Sequence, residues 1–173
     1  TFLGLASHEY FHAWNVKRIK PQAFTPYALD RENYTALLWA FEGITSYYDD
    51  LMLVRAGLLT TEQYLETVAK TLTTVLQRSS RLKQSVADSS FDAWIKYYRQ
   101  DENAPNSVVS YYQKGSLVAL ALDLSIRAAS GGKRSLDDVM RLLWQRCKKG
   151  GADYAGVDEE GIVAAAEEAT GLS

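Results

Sequence analysis

The chain has 173 residues, 47% of them hydrophobic and 23% charged, which suits one globular domain with a real core. A net charge of −2 leaves no electrostatic footprint for nucleic acid. The most apolar run, Leu117 to Leu124, falls far short of the roughly 20 residues that span a bilayer. The single cysteine, Cys147, excludes an internal disulfide, and beside Leu143 and Trp144 it reads as a small buried hydrophobe.

The pattern is helical almost throughout, so the expected fold class is mostly α. A first helix is expected over about Leu3 to Asn15, followed by a basic, proline-punctuated loop from Lys17 to Pro26 and Tyr27. A second helix is expected from about Glu32 to Ala56, stopped by Gly57. Thr60 and Gln63 form a capping box for a third, along which Tyr64, Leu65, Val68, Leu72, Val75 and Leu76 recur at helical spacing. A short amphipathic helix over Phe91 to Tyr98 and a loop over Arg99 to Ser107 precede a run, Ser107 to Ala129, that is apolar on nearly every side and predicts a buried central helix. Ser135 with Asp138 opens another helix, closed by Gly150-Gly151, and Asp158 starts a last one that ends near Gly171. There is no internal repeat and no run of period-two alternation.

The chemistry is concentrated at the start of the chain. Its only two histidines, His8 and His12, stand four apart around Glu9 in His8-Glu9-Tyr10-Phe11-His12. On a helix that spacing puts both imidazoles on one face, within reach of one metal ion, with the glutamate able to face a water there. This is the HExxH arrangement of zinc peptidases. A chance match on an amphipathic helix is the bland alternative, weakened because the motif uses every histidine in the chain. Catalytic zinc usually takes three protein ligands. The extension with a glycine and a third histidine is excluded, because Asn15 and Arg18 hold those positions. The third ligand is therefore expected to be a carboxylate from another helix. Glu42 is the best candidate: Leu37, Leu38, Phe41 and Ile44 surround it, and an ionised carboxylate buried there needs a partner. Gly43 beside it sacrifices helix propensity and hints at close packing. Asp30, Glu32, Asp49 and Asp50 are weaker candidates; the alternative for Glu42 is a surface position or an ion pair with Arg18 or Lys17. Asp49 shares a helix face with Glu42 and could orient an imidazole, and Arg18 could brace the site by pairing with Asp49 or Asp50. Lys17 and Lys20 read as a solvated basic loop.

HEYFHAWNVKRIKP followed by WAFEGITSYYDDL resembles the PDZ-containing glycyl aminopeptidase family, a gluzincin group related to the aminopeptidase N family. A third block, Tyr111-Tyr112-Gln113-Lys114-Gly115, is similar to the Y-x-K-G element of the latter. The longer separation of His12 from Glu42 favours the glycyl aminopeptidase branch. The resemblance implies one zinc ion per chain on His8, His12 and Glu42, Glu9 as general base, and Tyr112 as hydrogen-bond donor to the oxyanion, with Tyr111 the alternative tyrosine. It implies a zinc aminopeptidase acting on peptides with small N-terminal residues such as glycine or alanine. A zinc metallo-endopeptidase and a non-catalytic helical interaction domain are the competing classes.

The resemblance also implies a thermolysin-like catalytic domain of which residues 1–173 are the helical half, a single subdomain. The upstream β-rich half and a downstream PDZ domain are not in this sequence, and Thr1 stands only seven residues before His8. The expected partners are a peptide substrate and the rest of the same polypeptide, with no nucleic acid and no membrane span. This piece alone is expected to be poorly active, and the apolar surface a missing sheet would cover is expected to favour self-association. The compartment, cytoplasmic or periplasmic, is left open.

Overall fold

Helix α1 (Phe2–Phe11) ends earlier than the expected boundary at Asn15. The structure, a computed structural model, describes residues 2–171. The His12 N–H still donates to the His8 carbonyl (3.1 Å), but the chain then folds back, and the Ile19 N–H reaches the Trp14 carbonyl at 2.8 Å. Val16, inside this turn, has φ +132°, a value that β-branched residues rarely adopt.

The single helix expected over Glu32 to Ala56 is two, α2 (Leu38–Phe41) and α3 (Gly43–Arg55), with Glu42 at the break. Helix α4 (Thr61–Gln77) starts on its capping box, with Gln63 N–H donating to Thr60 Oγ1 and Thr60 N–H to Gln63 Oε1. Its apolar positions form one stripe of which only one edge is covered: Tyr64, Val68 and Val75 are half-buried, whereas Leu65, Leu72 and Leu76 are exposed. Helix α5 (Val86–Phe91) and a π-helical turn (Ala93–Tyr97) replace the single short helix expected there, and α6 (Ala104–Ser107) forms inside the segment read as a loop.

Helix α7 (Gln113–Ala129) begins later than the apolar run suggested. Val109 is held out of it: its N–H goes to Gln84 Oε1 (2.8 Å) and its carbonyl accepts from the Ser89 hydroxyl (2.5 Å). Nor is α7 enclosed on every side; it buries one stripe, Gly115, Ala119, Asp123 and Ile126, and leaves Leu124 exposed. Helix α8 (Leu136–Gly150) follows Ser135, whose N–H donates to Asp138 (2.9 Å), and stops at Gly151. Helix α9 (Gly161–Thr170) starts after Asp158 and ends on left-handed Gly171. Cys147 is only partly buried, and its thiol donates to the Arg18 carbonyl at 3.3 Å. The described residues contain no strand, only two isolated bridges, and no helix among them is long and apolar enough to cross a membrane.

Helix α3 is the centre of the packing, with α1 against one side and α7 against the other, while α8 and α9 pair with each other. Phe41, Ile44, Tyr48, Ala119, Leu143 and Ile162 belong to one continuous core. Phe11 stacks on Tyr48 with ring centroids 4.8 Å apart, which fixes α1 on α3. The crossing of α3 and α7 is a contact of backbones. A Cβ on Gly43 would lie 2.6 Å from the Gly115 Cα, and one on Gly115 would lie 2.8 Å from the Trp39 carbonyl oxygen. Only glycine at both positions allows this approach.

Candidate metal centre

The two helix breaks build the site. Helix α1 presents His8 and, one turn on, His12; the interruption between α2 and α3 presents Glu42. His8 Nε2 and His12 Nε2 lie 3.2 and 3.1 Å from the same oxygen, Glu42 Oε2. The two rings stand edge to face at 4.6 Å. One nitrogen from each histidine and one carboxylate oxygen fall within 4.8 Å of one another.

The outer ring nitrogens are already used. His8 Nδ1 donates to Asp49 Oδ2 at 3.1 Å, and His12 Nδ1 donates to the Asn15 carbonyl at 2.8 Å. A carboxylate and a carbonyl only accept, so each Nδ1 carries its proton; each Nε2 faces inward to Glu42, donating to it while protonated and offering a lone pair only once that proton is lost. Asp49 is held in turn: the Asp50 N–H donates to its Oδ1 (2.6 Å), and the Ser7 hydroxyl donates to its backbone carbonyl (2.7 Å). Burial alone would lower the His8 pKa, but hydrogen bonds to Asp49 and Glu42 outweigh it and raise the value to about 9. His12 is raised against its burial by Glu42 and the Asn15 carbonyl. Glu42, also buried, is pulled down to about 2 by the two imidazoles. The field at this point favours positive charge. Two imidazoles and one carboxylate, with outer partners fixing their faces, are a donor set that suits zinc.

The three groups open onto a cleft of about 1020 Å³ whose lining includes Glu9, Lys17, Arg18, Asp50 and Tyr112. Glu9 is exposed on the cleft side of α1. Tyr112, at the start of α7, stacks on buried Tyr111 (4.6 Å) and brings its ring centroid to 6.3 Å from that of His8. The Gly43–Gly115 contact puts it there, since one glycine follows Glu42 and the other lies one helical turn after Tyr112. Burial pushes the Tyr112 pKa above its ordinary value, so the hydroxyl keeps its proton. Lys114 ties this turn to the neighbouring loop through the carbonyls of Arg81 (3.0 Å) and Gln84 (3.3 Å).

The remaining sequence candidates separate. Asp49 reaches the site, through His8. Arg18 makes no ion pair with Asp49 or Asp50 among the described residues; its guanidinium donates instead to the Ala13 carbonyl at 2.5 Å. Neither Arg18 nor Lys17 pairs with Glu42, and Asp30 and Glu32 do not join the ligand cluster. Sequence reasoning gave no role to Asn15, whose carbonyl faces His12; only its place in the HEYFHAWN block marked it.

Residues 1–118 match the model of the M61 glycyl aminopeptidase family. Among solved structures, an aminopeptidase N family protein from Idiomarina loihiensis is 47% identical, with a TM-score of 0.88 over 94% of this chain. The match covers 27% of that longer chain, so the present sequence corresponds to about a quarter of it. No curated protein matches. On the family model and this identity together, the chain belongs to the M61 glycyl aminopeptidase family.

Proposed function

We propose that this chain carries the zinc-dependent peptide-hydrolysing centre of an aminopeptidase, selective for small N-terminal residues such as glycine and alanine. The observation that carries the reading is the convergence of His8 Nε2, His12 Nε2 and Glu42 Oε2, with both Nδ1 atoms already engaged. Zinc held there supplies Lewis acidity, bringing the pKa of a water towards about 7. Glu9, on the cleft side of the helix that carries both imidazoles, takes the proton from the attacking water and returns it to the amine as the C–N bond breaks. The Tyr112 hydroxyl donates a hydrogen bond to the oxygen on which negative charge develops. Asp49 keeps the His8 ring in the ligating tautomer. The preference for a free, small N-terminus rests on family membership.

The test is Glu9→Gln in the longest polypeptide that carries this chain. Hydrolysis of alanyl or glycyl peptides is expected to fall by about 10²-fold or more with zinc retained. Full activity in that variant refutes the role of Glu9. Equal cleavage of N-acetylated peptides makes the enzyme an endopeptidase, and absence of zinc-dependent cleavage leaves a helical interaction domain.

A further inference from the structure

We infer that Asn15 is a positioning residue that joins His12 and Glu42 into one ligand set, its backbone orienting the imidazole and its side chain clamping the helix break that carries the carboxylate. The inference rests on the metal-centre reading above.

Asn15 is a polar residue with only 2% of its surface exposed, in the turn that follows α1. Its carbonyl does not point onward as it would in a continuing helix. It faces back to His12 Nδ1 at 2.8 Å. The next residue, Val16 at φ +132°, holds the backbone in a conformation unfavourable for its side chain. Strain of this kind persists where the surroundings over-determine it. Here the surroundings are the bonds on either side of it. Asn15 N–H donates to the Phe11 carbonyl (3.1 Å), and Lys17 N–H donates to the His12 carbonyl (3.1 Å).

The side chain acts on the other ligand. Asn15 Nδ2 donates to the carbonyls of Phe41 (3.2 Å) and Ala40 (3.4 Å) and to Thr45 Oγ1 (3.1 Å). Thr45 can accept because its own hydroxyl proton goes to the Phe41 carbonyl (2.6 Å). These three acceptors straddle Glu42, at the point where α2 gives way to α3. A side chain inserted into a helical ladder is a recognised cause of a break. The amide is required chemically: all three partners accept, so aspartate at this position would face two carbonyl oxygens with a negative charge. One residue thus touches the supports of two ligands that are far apart in sequence.

The experiment measures zinc affinity by chelator competition, the absorption spectrum of the cobalt-substituted protein as a report on ligand geometry, and unfolding stability, each on the same samples. Asn15→Ala is expected to weaken zinc by about 10- to 100-fold and to alter the cobalt spectrum. Thr45→Val, nearly isosteric, removes one acceptor and is expected to produce a smaller loss in the same direction; it carries the test if Asn15→Ala does not fold. Asp123→Asn, which destabilises α7 without touching a proposed ligand, is the control and is expected to leave zinc affinity and spectrum unchanged. Unaltered affinity and spectrum in both Asn15→Ala and Thr45→Val, or an equal affinity loss in Asp123→Asn, overturns the positioning role while the metal centre stands. Failure of the parent protein to bind zinc stoichiometrically, or binding that survives His8→Ala, overturns the metal centre and this inference with it.

Discussion

Two carboxylates pack within this helical fold, and they are satisfied in different ways. Asp123, on α7, accepts from the Tyr47 hydroxyl, the Arg127 guanidinium and the Leu136 backbone N–H, each at 2.7 Å. Every one of these donors is a fixed part of the protein, so the carboxylate is complete as it stands. Glu42, between α2 and α3, meets two imidazole nitrogens that donate only when protonated. The first arrangement is a brace that closes α7 onto the start of α8. The second carries ionisable donors whose outer nitrogens Asp49 and Asn15 hold from behind, the arrangement that the proposed exchange of protons for zinc requires. The same side-chain chemistry is thus met by fixed donors in one place and by ionisable donors in the other.

Glu42→Gln tests the exchangeable side most severely. It keeps the shape and removes the charge, so zinc affinity measured by chelator competition is expected to fall by more than about 100-fold, beyond the range seen when only an outer partner is lost. Parental affinity in this variant would dissolve the contrast. Asp123→Ala tests the permanent side: it leaves Tyr47 and Leu136 N–H without their acceptor, and the expected loss is on the order of 3 kcal/mol in denaturant unfolding, with zinc affinity retained. Gly115→Ala intrudes where the two backbones touch, with an expected destabilisation of about 1–3 kcal/mol. Because the added methyl would meet Trp39 and Gly43, which flank Glu42, peptide turnover and zinc affinity are both expected to drop in this variant, the affinity by less than in Glu42→Gln.

The finest discrimination comes from pH. The three donors outweigh burial and hold the Asp123 pKa below its ordinary 3.8. Its contribution to stability is therefore present above that value and is lost as pH falls through the lower folded-state value. His8 runs the other way. Its pKa rises from 6.5 to about 9, so in zinc-free protein its contribution is present below 6.5 and disappears as pH climbs towards 9. In the proposed site zinc competes with that proton and with the one on His12, whose pKa is also raised, so apparent affinity should increase by about tenfold or more per pH unit across the same interval. Unfolding and zinc titrations at several pH values check both signs.

The sequence carried local information well and tertiary information poorly. The His8–His12 spacing, the Thr60–Gln63 capping box and the Gly171 stop are settled within a few residues of chain, and each appears as read. The break at Glu42 could not be read, because the amide that meets the Ala40 and Phe41 carbonyls beside it belongs to Asn15, distant in sequence and silent in any periodicity. The late start of α7 has the same kind of origin: Gln84 and Ser89 take the Val109 backbone groups that a helix would have used. Asp123 vanished into an apolar run although it organises one end of the fold. The pairing assigned to Arg18 failed because a nearer acceptor, the Ala13 carbonyl, satisfies the guanidinium. Gly43 announced a close approach, yet nothing in the sequence said that Gly115 would be the other party.

That approach has an implication for anyone reshaping the cleft. With no atoms between the two main chains at Gly43 and Gly115, the gap there is already at its floor; substitutions can widen it but none can narrow it. The reach of Tyr112 across the cleft therefore has room for adjustment in one direction only. A redesign that needs the phenol nearer to His8 must lengthen or retilt the side chain, because the scaffold has no further travel to give.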